Sequence, residues 1–277
     1  MVSHLIYHTR HLFTPAATLI CLQEVLHTQL CDLALRHFNA RHDWACVGVG
    51  RDDGKTAGEY APIFFRPSAW TLLHFETLWL NETGQVGRRG WDAASVRILT
   101  CAVLESSAGR RDQPGGARPK KVLALNTHLD DQGKVSRRES AKLIVRAARE
   151  LRQKWDVDFW FLAGDLNSEP SGDAYRIINE AGSGFIDARK GIDDVEDSDG
   201  APLYGNEMTF TGFDGKGDDG EGKSRIDFVH VGVDDGAGTA QGTPAKQVTR
   251  GYAVLPNRFD EGIYMSDHRA VVADLVW

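Results

Sequence analysis

The sequence is poor in cysteine, and the four it has, Cys21, Cys31, Cys46 and Cys101, form no C-x-x-C pair. A disulfide framework or zinc ribbon therefore has little to build on. Cys21 and Cys101 sit in the apolar runs TLICL and ILTCAVL, and Cys31 sits in a helical pattern, so buried free thiols are the expectation. No run approaches the ~18 apolar residues of a membrane span. The start, MVSHLIYHTRHLFTPAATLICL, breaks its apolar segment with His and Arg and makes a poor signal peptide. The expectation is a cytoplasmic monomer without a transmembrane segment. The sequon Asn81-Glu82-Thr83 matters only in a secreted chain. Positive charge is also scarce: 32 Lys and Arg stand against 39 Asp and Glu, a net charge of −7. That balance argues against avid, non-specific binding to duplex DNA. It leaves a nuclease open, because a bound cation can supply the positive charge. The serine-hydrolase pattern G-x-S-x-G is missing, and Ser266-Asp267-His268 are neighbours in sequence, whereas a serine triad is assembled in space.

One motif is present in full and in the wrong setting. Gly217 to Ser224, GDDGEGKS, matches the phosphate-loop pattern G-x-x-x-x-G-K-[ST]. That loop needs a helix to follow, so that backbone N–H groups and the helix dipole meet the phosphates. Instead RIDFVHV follows, with Ile226, Phe228 and His230 alternating against Asp227, Val229 and Val231, a strand pattern. Asp218, Asp219 and Glu221 would also repel a polyphosphate. A solvated hairpin tip is the better reading. Likewise, DSDG suggests a calcium loop. With Gly200 sixth, however, the first and twelfth positions fall on Val195 and Asn206, and the ligand set fails.

The 277 residues suffice for one β-rich domain with a sizeable core, and no linker or internal repeat divides them. TLICL, CVGVG, APIFFR, TLLHFETLWL, VRILTCAVLES, KVLALNTH, DFWFLAGD, RIDFVHV and RAVVADLVW read as strands. A helix is expected from Leu26, with Leu30, Leu33 and His37/Phe38 on one face. A second opens at Ser136, where Ser136 and Glu139 form an S-x-x-E capping box and Leu143, Ile144, Ala147, Leu151 and Trp155 follow on one face. SGDAYRIINEAG gives a third. Residues 107–119 read as a turn-rich tip, 188–206 as an acidic loop, and two Gly-rich or loop segments separate the late strands. Helices falling singly between groups of strands suggest a two-sheet sandwich with helices outside.

Several apolar runs stop abruptly at chemically capable residues. LICLQE ends in Gln23-Glu24, LALNTH in Asn126-Thr127-His128, and WFLAGDLN in Asp165 and Asn167; RID carries Asp227, and YMSDH carries Asp267-His268. Any one carboxylate at a strand end is usually a turn residue. Five such sites together supply carboxylates, two histidines and three amides. Oxygen ligands such as Glu24 and Asp267 favour Mg2+ or Mn2+ over zinc. An Asp beside an Asn can activate and orient a water, and a histidine can stabilise a developing phosphorane or protonate a leaving oxygen.

In that order, ICLQEV, NTHLDDQG, GDLNSEP, SRIDFVHV and SDHRAVVADL resemble the endonuclease/exonuclease/phosphatase family, related to deoxyribonuclease I. The resemblance runs from about Thr18 to the C-terminus. It implies an α/β, four-layer α/β/β/α sandwich with two packed, mainly antiparallel sheets in a single domain over 1–277. It also implies a metal-dependent phosphoesterase. Glu24 would bind Mg2+ or Mn2+, with Asp267 near it. Asp165 would be the general base for the attacking water, and Asn167 would position that water or the phosphate. His268 would contact the scissile phosphate, paired with Asp227, which raises its pKa. His128 would lie on the leaving-group side, paired with Glu59 of GEYAPIFFR, with Asn126 behind it. WLNET, GWDAASVR and NRFDEGIYMSDH resemble a microbial branch of hydrolases. There Glu82, Trp91, Arg97 and Arg225 are candidates for lining the substrate cleft; core packing for Trp91 and a sheet-face ion pair for Arg97 are the alternatives. The phosphate-ester substrate could be nucleic acid, nucleotide or a phospholipid head group.

The family pattern breaks at the start. An initial strand ending in a metal-associated Asn, then a helix, precedes the LQE strand in this family. Here only 23 residues precede Glu24, and the first Asn is Asn39. The resemblance thus predicts an atypical or truncated segment 1–17 and one missing metal ligand, with His4, His8 and His11 as substitutes. The rival to the enzyme is a non-catalytic or weakly active binding protein of the same fold.

Overall fold

The computed structural model describes residues 5, 7–9, 17–33, 44–107, 118–193, 203–213, 222–233 and 249–276. His4, His11, residues 34–38 of the expected first helix, 108–117 of the turn-rich tip, the DSDG loop and 217–221 of the phosphate-loop match lie outside them. The chain divides into two compact units, Met1–Trp160 and Phe161–Trp277.

In the first unit the elements run β1 (Ile20–Cys21), α1 (His27–Cys31), β2 (Ala45–Val47), β3 (Ile63–Phe65), β4 (Trp70–Trp79), β5 (Ile98–Ser106), β6 (Lys121–His128) and α2 (Lys134–Trp155). β3 pairs antiparallel with both β1 and β2, setting Ile20 opposite Phe64 and Cys46 opposite Phe64. Ile20, Val25, Leu33, Trp44, Tyr60 and Phe64 close one core cluster on this small sheet. β4, β5 and β6 form an antiparallel ladder in which Thr100 faces Asn126 and Cys101 faces Leu125. β5 is buried along nearly its whole length, so it reads as an apolar run and not as an alternation. The cysteines are free thiols; Cys101 is buried, and the other three are half-buried where burial was expected.

α2 buries Ser136, Ser140, Ala141, Ile144, Ala147, Ala148 and Leu151, the three-and-four spacing of one helix face. It ends at Asp156, whose left-handed φ of 49° halts the helix. The expected capping box at Ser136 is not what starts it. Ser136 already lies in the first turn, behind Gly133, and the cap comes from a distant loop. Asp92 accepts hydrogen bonds from the N–H of Val135 (3.1 Å) and Ser136 (2.7 Å). A carboxylate there satisfies orphan donors and meets the positive end of the helix dipole. Asp92→Ala should lower the melting temperature by about 2–4 °C, a cap-sized loss, measured by circular dichroism. An unchanged Tm would show that water replaces the cap fully.

In the second unit the order is β7 (Phe159–Asp165, which begins two residues earlier), α3 (Asp173–Asn179), β8 (Phe185–Asp187), α4 (Lys190–Asp193), β9 (Leu203–Gly205), β10 (Asp227–Gly232), β11 (Thr249–Val254) and β12 (Val271–Leu275). β10 pairs antiparallel with β7 and β8; β11 pairs antiparallel with β12 and parallel with β9. Two short strands, β9 and β11, correct the loop assignments over 188–206 and 234–262. β11 hid from the sequence because a register shift between Thr249 and Gly251 breaks its alternation. Among the described residues, no helix is long and apolar enough to cross a membrane.

Candidate active site

The antiparallel register of β7 and β10 sets Asp165 directly opposite Asp227. Two like charges at facing positions of a ladder repel. A third side chain offsets this. His268, just ahead of β12, places Nδ1 2.8 Å from the Asp227 carboxylate and Nε2 3.9 Å from that of Asp165. Burial disfavours a charged ring here. The hydrogen bond to Asp227, and the charges of Asp227, Asp165 and Asp267, outweigh it and lift the His268 pKa to about 9. The ring is therefore an imidazolium at neutral pH, held between two carboxylates. Its folded pKa lies above the ordinary 6.5, so its contribution to stability is complete below pH 6.5 and is lost as pH rises through about 9.

Local backbone chemistry fixes each member. Asp165 is buried at the end of β7, and its Oδ1 accepts the N–H of Asn167 at 2.7 Å, a turn closed by the side chain. Asn167 has φ 45°, a left-handed conformation that asparagine tolerates best among residues with a Cβ. The Thr209 hydroxyl accepts the N–H groups of Ile226 and Asp227, both at 3.0 Å, and so holds the start of β10. Nothing in MTFTG signals that task beyond a hydroxyl in an apolar run. Ser266 Oγ accepts the His268 N–H at 3.0 Å, and the Phe210 ring stands 5.0 Å from the imidazole.

Ligand atoms of Asp165, Asp227 and His268 all lie within 4.8 Å of one another, so this trio could hold a metal ion in exchange for the extra proton on His268. Two hard carboxylates and an imidazole suit a divalent cation, and the excess negative charge around His268 favours one.

The first unit carries a second group of polar residues. Glu24 follows β1 with a left-handed φ of 58°, an unusual conformation for glutamate that is characteristic of functional positions. Its carboxylate is well exposed, and Oε1 lies 3.8 Å from His128 Nδ1. Asn126 is wholly buried: Nδ2 donates to the carbonyls of Leu22 (2.8 Å) and Pro62 (2.9 Å), and Oδ1 accepts from Gln23 (2.7 Å). It therefore clamps the backbone leading to Glu24. Glu59 is not the partner of His128. Arg51 takes it, Nη1 to Oε2 at 2.5 Å, because the turn at 50–58 brings residues 51 and 59 together.

A solved endonuclease/exonuclease/phosphatase from Bacteroides vulgatus is 32% identical to this chain, covering 99% of it and 88% of that protein, with a TM-score of 0.75. The chain belongs to the endonuclease/exonuclease/phosphatase family. It has that family's mixed α/β sandwich fold, the class its sequence indicates. A mannosyl-6-phosphatase from Bacteroides thetaiotaomicron is 26% identical over 100% of this chain and 89% of that one, with a TM-score of 0.73. The human Nocturnin catalytic domain, 16% identical over 99% of this chain and 85% of that one, has a TM-score of 0.61, a likeness of fold alone. No family model matches the sequence, and no curated protein matches it.

The structure gives partners to the four cleft candidates in this endonuclease/exonuclease/phosphatase member. Arg225 is buried and donates through Nη2 to both carboxylate oxygens of Asp187, at 2.9 and 2.7 Å, with Tyr175 donating to the same carboxylate at 2.8 Å. It forms a core ion pair with Asp187. Arg97 is buried on Asp130 (3.3 Å) and Asp131 (3.0 Å), the sheet-face reading. Glu82 is exposed and accepts the N–H of Trp91 at 3.0 Å, which stabilises the left-handed Trp91 (φ 48°) in its loop. Asp130 organises this region. Burial alone would raise its pKa, but the N–H groups of Gly133, Ala94 and Ser95 and the charge of Arg97 hold it at about 2.

Proposed function

We propose that this chain hydrolyses a phosphoester, most readily a phosphodiester, with a water activated at Asp165. The observation that carries the reading is the Asp227–His268–Asp165 arrangement, which pairs a carboxylate base with an imidazolium. The Asp165 carboxylate accepts a proton from water as its oxygen bonds to phosphorus, and Asn167 orients that water. The His268 imidazolium, aimed by Asp227, donates hydrogen bonds to the phosphoryl oxygens as their charge grows. The leaving oxygen takes a proton from solvent as its bond to phosphorus breaks. In the first unit, Glu24 is assigned to a divalent cation, Mg2+ or Mn2+, which when bound neutralises phosphate charge.

The test is release of p-nitrophenol from bis-p-nitrophenyl phosphate with Mg2+ or Mn2+. Turnover is expected only with metal, stopped by EDTA and restored by excess metal. Glu24→Gln should raise the metal concentration for half-activity by at least about tenfold, as much as losing an outer-shell partner costs. Metal-saturated protein that turns over no phosphoester would return the chain to the binding-protein reading.

A further inference from the structure

We infer that the surface beside His268 is an aromatic ledge that binds the flat ring of a nucleoside ester, which makes a small nucleotide phosphodiester the substrate class. The inference rests on the phosphoesterase reading of His268. Phe213 is 64% exposed, Ile263 62% and Phe259 50%, among the largest apolar exposures of the described residues. Phe213 and Tyr264 meet edge to face, with ring centres 5.8 Å apart, and Phe213 remains largely exposed. The Arg258 guanidinium lies 5.4 Å from the Tyr264 ring and sets a positive charge beside the aromatic surface.

The ledge is tied by hydrogen bonds to the segment that carries His268. Residues 257–265 form a tight hairpin, with Met265 N–H on Asn257 O (2.8 Å) and Phe259 N–H on Ile263 O (2.9 Å). Buried Asn257 donates to Thr211 Oγ1 and to the Ser266 carbonyl, both at 2.8 Å. Thr211 N–H in turn donates to the carbonyl of Asp267 at 2.8 Å. Phe213 is thus two residues from the contact that holds the Asp267-His268 backbone, and Tyr264 is four residues before His268. A preformed aromatic face with a guanidinium on its rim suits a base carrying an anionic phosphate. A net charge of −7 disfavours a long polyanion and leaves the mononucleotide ester as the better fit.

Two p-nitrophenyl diesters with the same leaving group separate the contributions: p-nitrophenyl thymidine 5′-phosphate and ethyl p-nitrophenyl phosphate. The thymidine ester is expected to have the higher kcat/KM by about tenfold, chiefly through KM. Phe213→Ala and Phe213→Leu should both collapse that ratio towards one, and Phe213→Trp should preserve it. Titration calorimetry with thymidine 5′-monophosphate, which needs no turnover, should show about tenfold weaker binding to Phe213→Ala. An unchanged ratio with unchanged binding overturns the ledge, as does a preference for the p-nitrophenyl ester of mannose 6-phosphate. Weakened binding in a protein that turns over neither ester would keep the ledge and remove the hydrolase reading.

Discussion

Asp165→Asn is expected to lower kcat/KM for bis-p-nitrophenyl phosphate by about a thousandfold, within the range that a positioned general base contributes. The substitution conserves shape: an amide oxygen can still accept the Asn167 N–H that Oδ1 now takes at 2.7 Å. It removes only the basic oxygen and the charge. Removing the charge relieves the repulsion from Asp227 across the ladder but also weakens the hold on the His268 imidazolium, so the two effects offset and the melting temperature should hold. Loss of rate without loss of stability separates a catalytic carboxylate from a structural one. Asp165 is also one of the charges that raise the His268 pKa, so the alkaline limb of any residual activity should move down from about 9. A loss smaller than tenfold in steady-state assays would place the base elsewhere.

Arg225→Met should produce the largest loss of stability. The Asp187 carboxylate is completely buried, and Arg225 is its cationic partner. Removing one member of a buried pair leaves an uncompensated charge and costs about 3–5 kcal/mol. For a chain of this size that corresponds to a Tm lower by ~10 °C in calorimetry. The double variant Asp187→Asn, Arg225→Met should recover much of the loss, because the stranded charge is gone. At temperatures well below the transition, turnover by the single variant should stay within about twofold of wild type. A stable variant with a raised KM would restore the cleft role that the sequence suggests for Arg225.

The long elements were legible because their periodicity is strong. β5, β6, β7 and α2 each carry a nearly continuous apolar run or a clean helical face, and the buried face of α2 overlaps the one its sequence indicates. β8 and β9 have three residues each, too few for a period to emerge. At the site, Asp165, Asp227 and His268 could be read because each sits at a sharp boundary between apolar and polar sequence. Several partners of charged side chains could not. Glu59 finds Arg51 through a turn whose hydrogen bonds no spacing rule encodes, and Arg225 lies ahead of β10, where strand alternation no longer fixes its face. The same limit misplaced the helix cap: Asp92 is 44 positions from the Ser136 N–H it binds.

Asp92 and Asp130 exchange services across one loop. Asp92, in the loop, holds the first N–H groups of α2; Asp130, just ahead of α2, holds the N–H groups of Ala94 and Ser95, both at 3.0 Å, while also tying Gln132 and Gly133. Neither segment can open without undoing the other's anchors. In the language of native-state hydrogen exchange they form one opening unit, so the loop that carries Glu82 and Trp91 takes its lifetime from the helix start and not from its own length.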